Sequence, residues 1–160
     1  MEEAKWSKSG VPYLHLGRGE PLVLIHGLGE VKEGWQNQFE LADQFELIIP
    51  DLRGHGACTK TDGISIQNFA LDIIGLLKEL GIENAHILGF SMGGAVAQEI
   101  YRQAPYLCRS LLLISTFHFF PKKLKSCYLI IEKLNLNPLP LQVNKQSLYP
   151  KWHFIHGIRN

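Results

Sequence analysis

Apolar residues along the chain fall into short continuous runs that alternate with stretches of helical spacing. Leu22-Val23-Leu24-Ile25-His26 is such a run, closed by glycine, and predicts a strand buried on both faces. Val11–Leu16 predicts a shorter strand, ended by the turn-like Gly17-Arg18-Gly19-Glu20-Pro21. Phe45–Pro50 is a third strand, stopped by proline, and Ala85–Phe90 and Ser110–Ser115 are two more. Between them, residues 66, 69, 70, 73, 74, 76, 77 and 80 are apolar, which predicts a helix over Ile66–Leu80 with Gly81 as its C-terminal stop. A short helix is expected at Trp35–Ala42 and another at about Met92–Gln103. Strand and helix in strict alternation imply an α/β fold, a mostly parallel sheet with helices on both faces.

Beyond residue 116 the pattern changes. Pro121–Asn135 reads as one amphipathic basic helix. Pro138, Pro140, Pro150 and neighbouring asparagines read as loop, and Trp152–Gly157 as one more short strand. Charge changes at the same place. Residues 1–100 hold 7 Lys/Arg against 14 Asp/Glu, whereas residues 101–160 hold 9 Lys/Arg and a single acid, Glu132. The basic end lacks the glycine and aromatic interleaving of an RNA surface and any helix-turn-helix pattern, so no nucleic-acid partner is expected. We therefore divide the chain into 1–116, the core, and 117–160, a region of different origin or role.

Composition adds exclusions. A chain of 160 residues with 46% apolar and 19% charged residues suits one soluble globular domain. No run approaches the length of a membrane span, and the first residues lack the basic and apolar regions of a secretory signal. Cys58, Cys108 and Cys127 are odd in number and widely spaced. That argues against a disulfide framework or a zinc site and for a reducing, cytoplasmic setting. No metal-ligand spacing and no phosphate-cradling Gly-x-x-x-x-Gly-Lys occurs, so neither metal nor cofactor is expected.

The chemistry concentrates in three glycine-rich turns. Gly89-Phe90-Ser91-Met92-Gly93 lies between a predicted buried strand and a predicted helix. A serine on so sharp a strand-to-helix turn is thrust out of the sheet, and side chains two positions either side would collide, hence the glycines. The Met92 backbone N–H, at the helix N-terminus, then faces a developing oxyanion. His26-Gly27-Leu28-Gly29 follows the first buried strand. Its glycines allow the close backbone approach that a second oxyanion donor needs, assigned to the Leu28 N–H. His26 is read as bracing this loop, with a general-base role as the alternative. Asp51-Leu52-Arg53-Gly54-His55-Gly56 follows the strand ending at Pro50. It is read as a loop tied by an Asp51–Arg53 ion pair, with a catalytic cluster as the alternative.

Together these motifs, with Trp35 in the helix between the first two, resemble the α/β-hydrolase superfamily and its serine esterases, lipases and lactonases. The resemblance runs from Val11 to Thr116. It implies Ser91 as nucleophile, Leu28 and Met92 as oxyanion donors, and a small-molecule ester or acyl substrate. Serine at the elbow sets the chain apart from the dehalogenase and epoxide-hydrolase branches, which use aspartate there.

Family members continue with a cap region and two more strands, which carry the triad acid and then its histidine. Here no aspartate follows Asp72, and the acids after Ser91 are Glu99 and Glu132. Glu99, about two turns into its helix, is expected to face solvent. Glu132 followed by His153 or His156 has the family order, but Glu132 lies among lysines and reads more simply as a surface ion-pair partner. Phe154–Asn160 resembles the strand that precedes the acid, with Asn160 in the acid's place. The chain is therefore expected to be an N-terminal portion of an α/β-hydrolase. Residues 117–160 would be the start of a cap region or a divergent, frameshifted tail. Ser110–Ser115 would form an exposed sheet edge open to self-association. The alternative to a serine hydrolase is a non-catalytic fragment or binding module.

Overall fold

The computed structural model describes residues 3–117. Six strands form one sheet in the order β1-β2-β4-β3-β5-β6. They are β1 (Lys5–Trp6), β2 (Pro12–Leu16), β3 (Glu20–Ile25), β4 (Phe45–Pro50), β5 (Ala85–Phe90) and β6 (Cys108–Ile114). β4, β3, β5 and β6 run parallel, while β1 and β2 add an antiparallel margin beside β4. β6 is the edge of this sheet among the described residues.

Each face of the sheet is covered by what its apolar residues attract. On one face, helix α1 (Ile66–Glu79) and helix α2 (Met92–Gln103) pack Phe69, Ile73, Leu77, Val96 and Ile100 onto Val23, Ile48 and Ile87. On the other, Trp35 with Phe39 and Leu41 covers Leu22, Leu24, Leu47 and Leu88. The central strands are buried on both faces, which is why their sequences run apolar without alternation.

α1 carries its own start and stop. The Ser65 side chain accepts the Asn68 N–H at 3.2 Å. Gly81, at φ +72°, ends the helix, its N–H bonding the Lys78 carbonyl while the Ile82 N–H bonds that of Leu77. This paired closure is the reason glycine stands at 81.

The segment expected as a short helix at Trp35–Ala42 is a 3₁₀-helix spanning Lys32–Asp43. Its buried positions, Lys32, Trp35 and Gln38, recur every three residues, as a three-residue turn requires. Over eight residues that period is hard to tell from 3.6. Two strands start earlier than their apolar runs suggest, β3 at Glu20 and β6 at Cys108, because pairing reaches past the buried residues. At that end of the sheet Glu20 bonds His86 of β5 and Arg109 of β6, which holds its carboxyl below the usual range.

The described residues belong to one unit, Met1–Pro121. Expectations for Pro121–Asn135, Trp152–Gly157 and the region 118–160 lie outside the described residues.

Candidate active site

The strand order reverses direction around β3. The connection from β3 leads to β4 on one side, and β5 lies on the other. Such a switch point leaves a crevice at the carboxyl ends of the two parallel strands. His26–Gly29 and Ser91 are the residues that leave those two strand ends.

Ser91 occupies the turn between β5 and α2 with φ 52° and ψ −117°, a backbone conformation rarely adopted outside glycine. Holding a serine there costs on the order of 1–3 kcal/mol, so neighbours must fix it. The Ser91 N–H donates to the Ile114 carbonyl at 2.9 Å. Its own carbonyl accepts the Thr116 hydroxyl at 2.7 Å and the Gly94 N–H at 3.0 Å. Thr116 was invisible as a site element in the sequence, because nothing in its spacing ties it to residue 91.

The two elbow glycines are required by close approach. A side-chain carbon on Gly89 would overlap the Gly93 carbonyl, and one on Gly93 would overlap the carbonyl oxygens of Ile25 and His26. Gly93 is thus where α2 crosses the end of β3. Gly27 lies against the elbow itself. A carbon added there would sit 3.3 Å from Ser91 Cβ and 3.0 Å from Glu30 Oε2. The structure therefore sets the His26–Gly29 turn beside Ser91. Gly29 adopts φ +75°. Leu28 is exposed and Met92 buried, and neither backbone N–H finds an acceptor among the described residues.

His26 braces the loop. Its Nδ1–H donates to the Gly27 carbonyl at 2.8 Å, and its Nε2 accepts the Leu52 N–H at 3.1 Å. Both ring nitrogens are used by one neutral tautomer, which leaves none for a base role. Burial pulls its pKa down to about 4, against the opposing effect of the Gly27 hydrogen bond. In the unfolded chain histidine titrates near 6.5. The unfolded state therefore takes up the proton first. His26 contributes full stability above about pH 6.5 and loses about 3 kcal/mol as pH falls through 4. Urea unfolding across this range is expected to show that loss in the wild type and not in His26→Asn. Parallel pH curves for the two would contradict it.

The Asp51–His55 loop departs from expectation. Asp51 and Arg53 do not pair with each other. Asp51, fully buried, accepts the Lys32 N–H and Nζ, both at 2.8 Å, and the Ala57 N–H at 2.9 Å. Arg53 turns the other way and grips Asp72 of α1 through two nitrogens, at 2.5 and 3.0 Å. Each finds its partner on a different element, Asp51 at the start of the 3₁₀-helix and Arg53 on α1. Burial alone would lower the Lys32 ammonium pKa, but hydrogen bonds to Asp51 and Glu33 outweigh it and raise the value. The alternative of a catalytic cluster gains no support, since His55 is turned to the Arg53 carbonyl.

Glu99 is also corrected. It is buried, with its carboxylate held by Arg102 at 2.7 and 2.8 Å and by Gln103 at 2.7 Å. Two donors on its own helix made burial tolerable. It lies eight residues along from Ser91 and is consumed by that pairing. The other expected triad partners, Glu132, His153 and His156, lie outside the described residues. Among the described residues, no group of three or more His, Cys, Asp or Glu side chains has a metal-holding arrangement. No described helix is long and apolar enough to cross a membrane.

A parallel sheet with helices on both faces, a serine elbow at its switch point and a glycine turn pressed against it define a class, the α/β-hydrolases. A sequence model of the alpha/beta hydrolase fold matches residues 20–134, and the chain belongs to that family. It is 33% identical over 144 residues to lipase 3 of Moraxella sp. (strain TA144), covering 86% of this chain and 44% of the lipase. It is 34% identical over 126 residues to an AB hydrolase superfamily protein of Bacillus subtilis, covering 69% of this chain and 44% of that protein. A thermophilic esterase from Thermogutta terrifontis superposes with a TM-score of 0.72 at 28% identity, over 84% of this chain and 52% of the esterase. The chain thus spans about half the length, or less, of these relatives.

Proposed function

We propose that this chain carries the nucleophile and oxyanion half of a serine hydrolase acting on carboxylic esters or related acyl substrates. The observation that carries the reading is the strained Ser91 with the Gly27 turn set beside it. In the proposed reaction, Ser91 Oγ bonds to the acyl carbon while its proton passes to a base. The carbonyl oxygen becomes an oxyanion between the Leu28 and Met92 N–H groups. Collapse expels the alcohol, protonated by that base, and leaves acyl-Ser91 for water to hydrolyse. His153 or His156 with Glu132 would follow the family order of serine, acid, histidine.

Lipase and esterase relatives support an ester substrate, but the apolar site typical of such enzymes fixes no particular acyl group. A second reading is a binding module that no longer turns substrate over. It is favoured by one observation: among the described residues no histidine or carboxylate bonds the Ser91 hydroxyl.

Hydrolysis of a short-chain p-nitrophenyl ester separates the two. Loss of the nucleophile is expected to lower turnover by at least about 10³-fold in Ser91→Ala. Turnover that survives the substitution would sink the proposal, and unchanged ligand binding without turnover in either protein would favour the module.

A further inference from the structure

Glu30 follows the glycine turn, and nothing in the hydrolase reading uses it. Its Oε2 accepts the Gly27 N–H at 2.8 Å, and its own N–H bonds back to the Gly27 carbonyl at 3.3 Å. The carboxylate is thereby held on the side of Gly27 that faces the elbow. The same imagined carbon on Gly27 would touch both Glu30 Oε2, at 3.0 Å, and Ser91 Cβ, at 3.3 Å. The carboxylate oxygen therefore lies within about 6 Å of the carbon that carries the nucleophile.

Among the described residues no cation neutralises this charge. Glu30 makes no ion pair among the described residues, and Lys32, the cation two positions along, is spent on Asp51 and Glu33. The positive end of α2 offsets part of the charge for an atom directly at the helix N-terminus, an effect that fades within the first turn. His26, the other titratable group of the turn, is neutral and turned inward. A group that approaches Ser91 along Gly27 therefore meets a fixed negative charge.

We infer that Glu30 selects the charge of what reacts at residue 91: neutral and cationic acyl substrates are accepted, and those with an anionic group beside the scissile carbonyl are rejected. As a statement about substrates this rests on the serine-hydrolase reading. As a statement about the field at residue 91 it does not.

The test uses Ser91→Cys and a pair of methanethiosulfonates of similar size, one bearing trimethylammonium and one sulfonate. The introduced thiolate attacks the reagent's sulfur, a disulfide forms and methanesulfinate leaves, so no catalytic base is needed. Peptide mass separates this site from the native cysteines. With rates normalised to a free thiol, the cationic reagent is expected to win by about 10-fold or more, as for a unit charge some 6 Å away at partial screening. Raising the salt should shrink that ratio. Glu30→Gln, which keeps an acceptor for the Gly27 N–H, should bring it close to one, as should Glu30→Ala.

A ratio unchanged by Glu30→Gln overturns the inference, including the case in which only Glu30→Ala changes it, since loop geometry would then be the cause. Failure of Ser91 itself to react with acyl substrates would remove the hydrolase reading while leaving the thiol ratio as the judge of this one.

Discussion

Gly93→Ala is expected to destabilise the fold by about 3 kcal/mol or more, at the top of the range for overpacking. The added methyl meets no flexible side chain that could swing aside. It overlaps the backbone carbonyls of Ile25 and His26, the last residue of β3 and the first of the turn. Relief requires α2 to lift from the sheet, which would carry Ser91 away from Gly27. The loss should therefore appear twice, as a lower urea midpoint and as a serine that no longer reacts. Gly75→Ala is the internal control. Gly75 sits in α1, and a methyl there has nothing within 4 Å. That substitution is expected to stabilise by about 0.5–1 kcal/mol, the usual gain of alanine over glycine in a helix. Equal effects from the two would mean that the contact at Gly93 is not what glycine serves.

The second large effect is expected from Asp51→Ala. The Asp51 carboxylate is fully buried and answers three donors: the Lys32 ammonium and the N–H groups of Lys32 and Ala57. Removing it strands a buried ammonium, with only the exposed Glu33 as partner, and two amides. Breaking a buried pair from one side costs about 3–5 kcal/mol. Thermal or urea unfolding reads it directly. Replacing Arg53 should cost less, because its partner Asp72 keeps the Lys60 ammonium at 3.5 Å, although the sequence pairs Arg53 with Asp51 more naturally. The reverse ranking would restore the Asp51–Arg53 pairing that the structure rejects.

That misreading shows where sequence stops informing. Continuous apolar runs located β3, β4 and β5 because a strand buried on both faces can hold little else. Glycine spacing located the elbow because backbone crowding around Ser91 admits no Cβ at Gly89 or Gly93. These are local constraints, and local constraints are written in neighbouring residues. Asp51 with Lys32, Arg53 with Asp72 and Thr116 with Ser91 join positions 19, 19 and 25 residues apart. Any of several charged or hydroxyl groups would serve as well by composition, so only the fold selects the partner.

The sequence places a helix at Trp35–Ala42 but not its 3₁₀ type or its start at Lys32, for another reason. Its three-residue period, at Lys32, Trp35 and Gln38, includes a buried lysine and a buried glutamine that an apolar pattern cannot register. Glu99 was misplaced similarly, since its burial depends on Arg102 and Gln103 taking up its charge. Glu30 carries no signal in the sequence, and only the fold sets its carboxylate beside Gly27 and Ser91.

The account turns on Ser91 being an activated nucleophile, and intact mass after exposure to a fluorophosphonate tests that most directly. The wild-type chain is expected to gain one adduct, mapped to Ser91, and Ser91→Ala to gain none. A folded wild-type chain that gains no adduct, or an adduct that persists in Ser91→Ala, would contradict it.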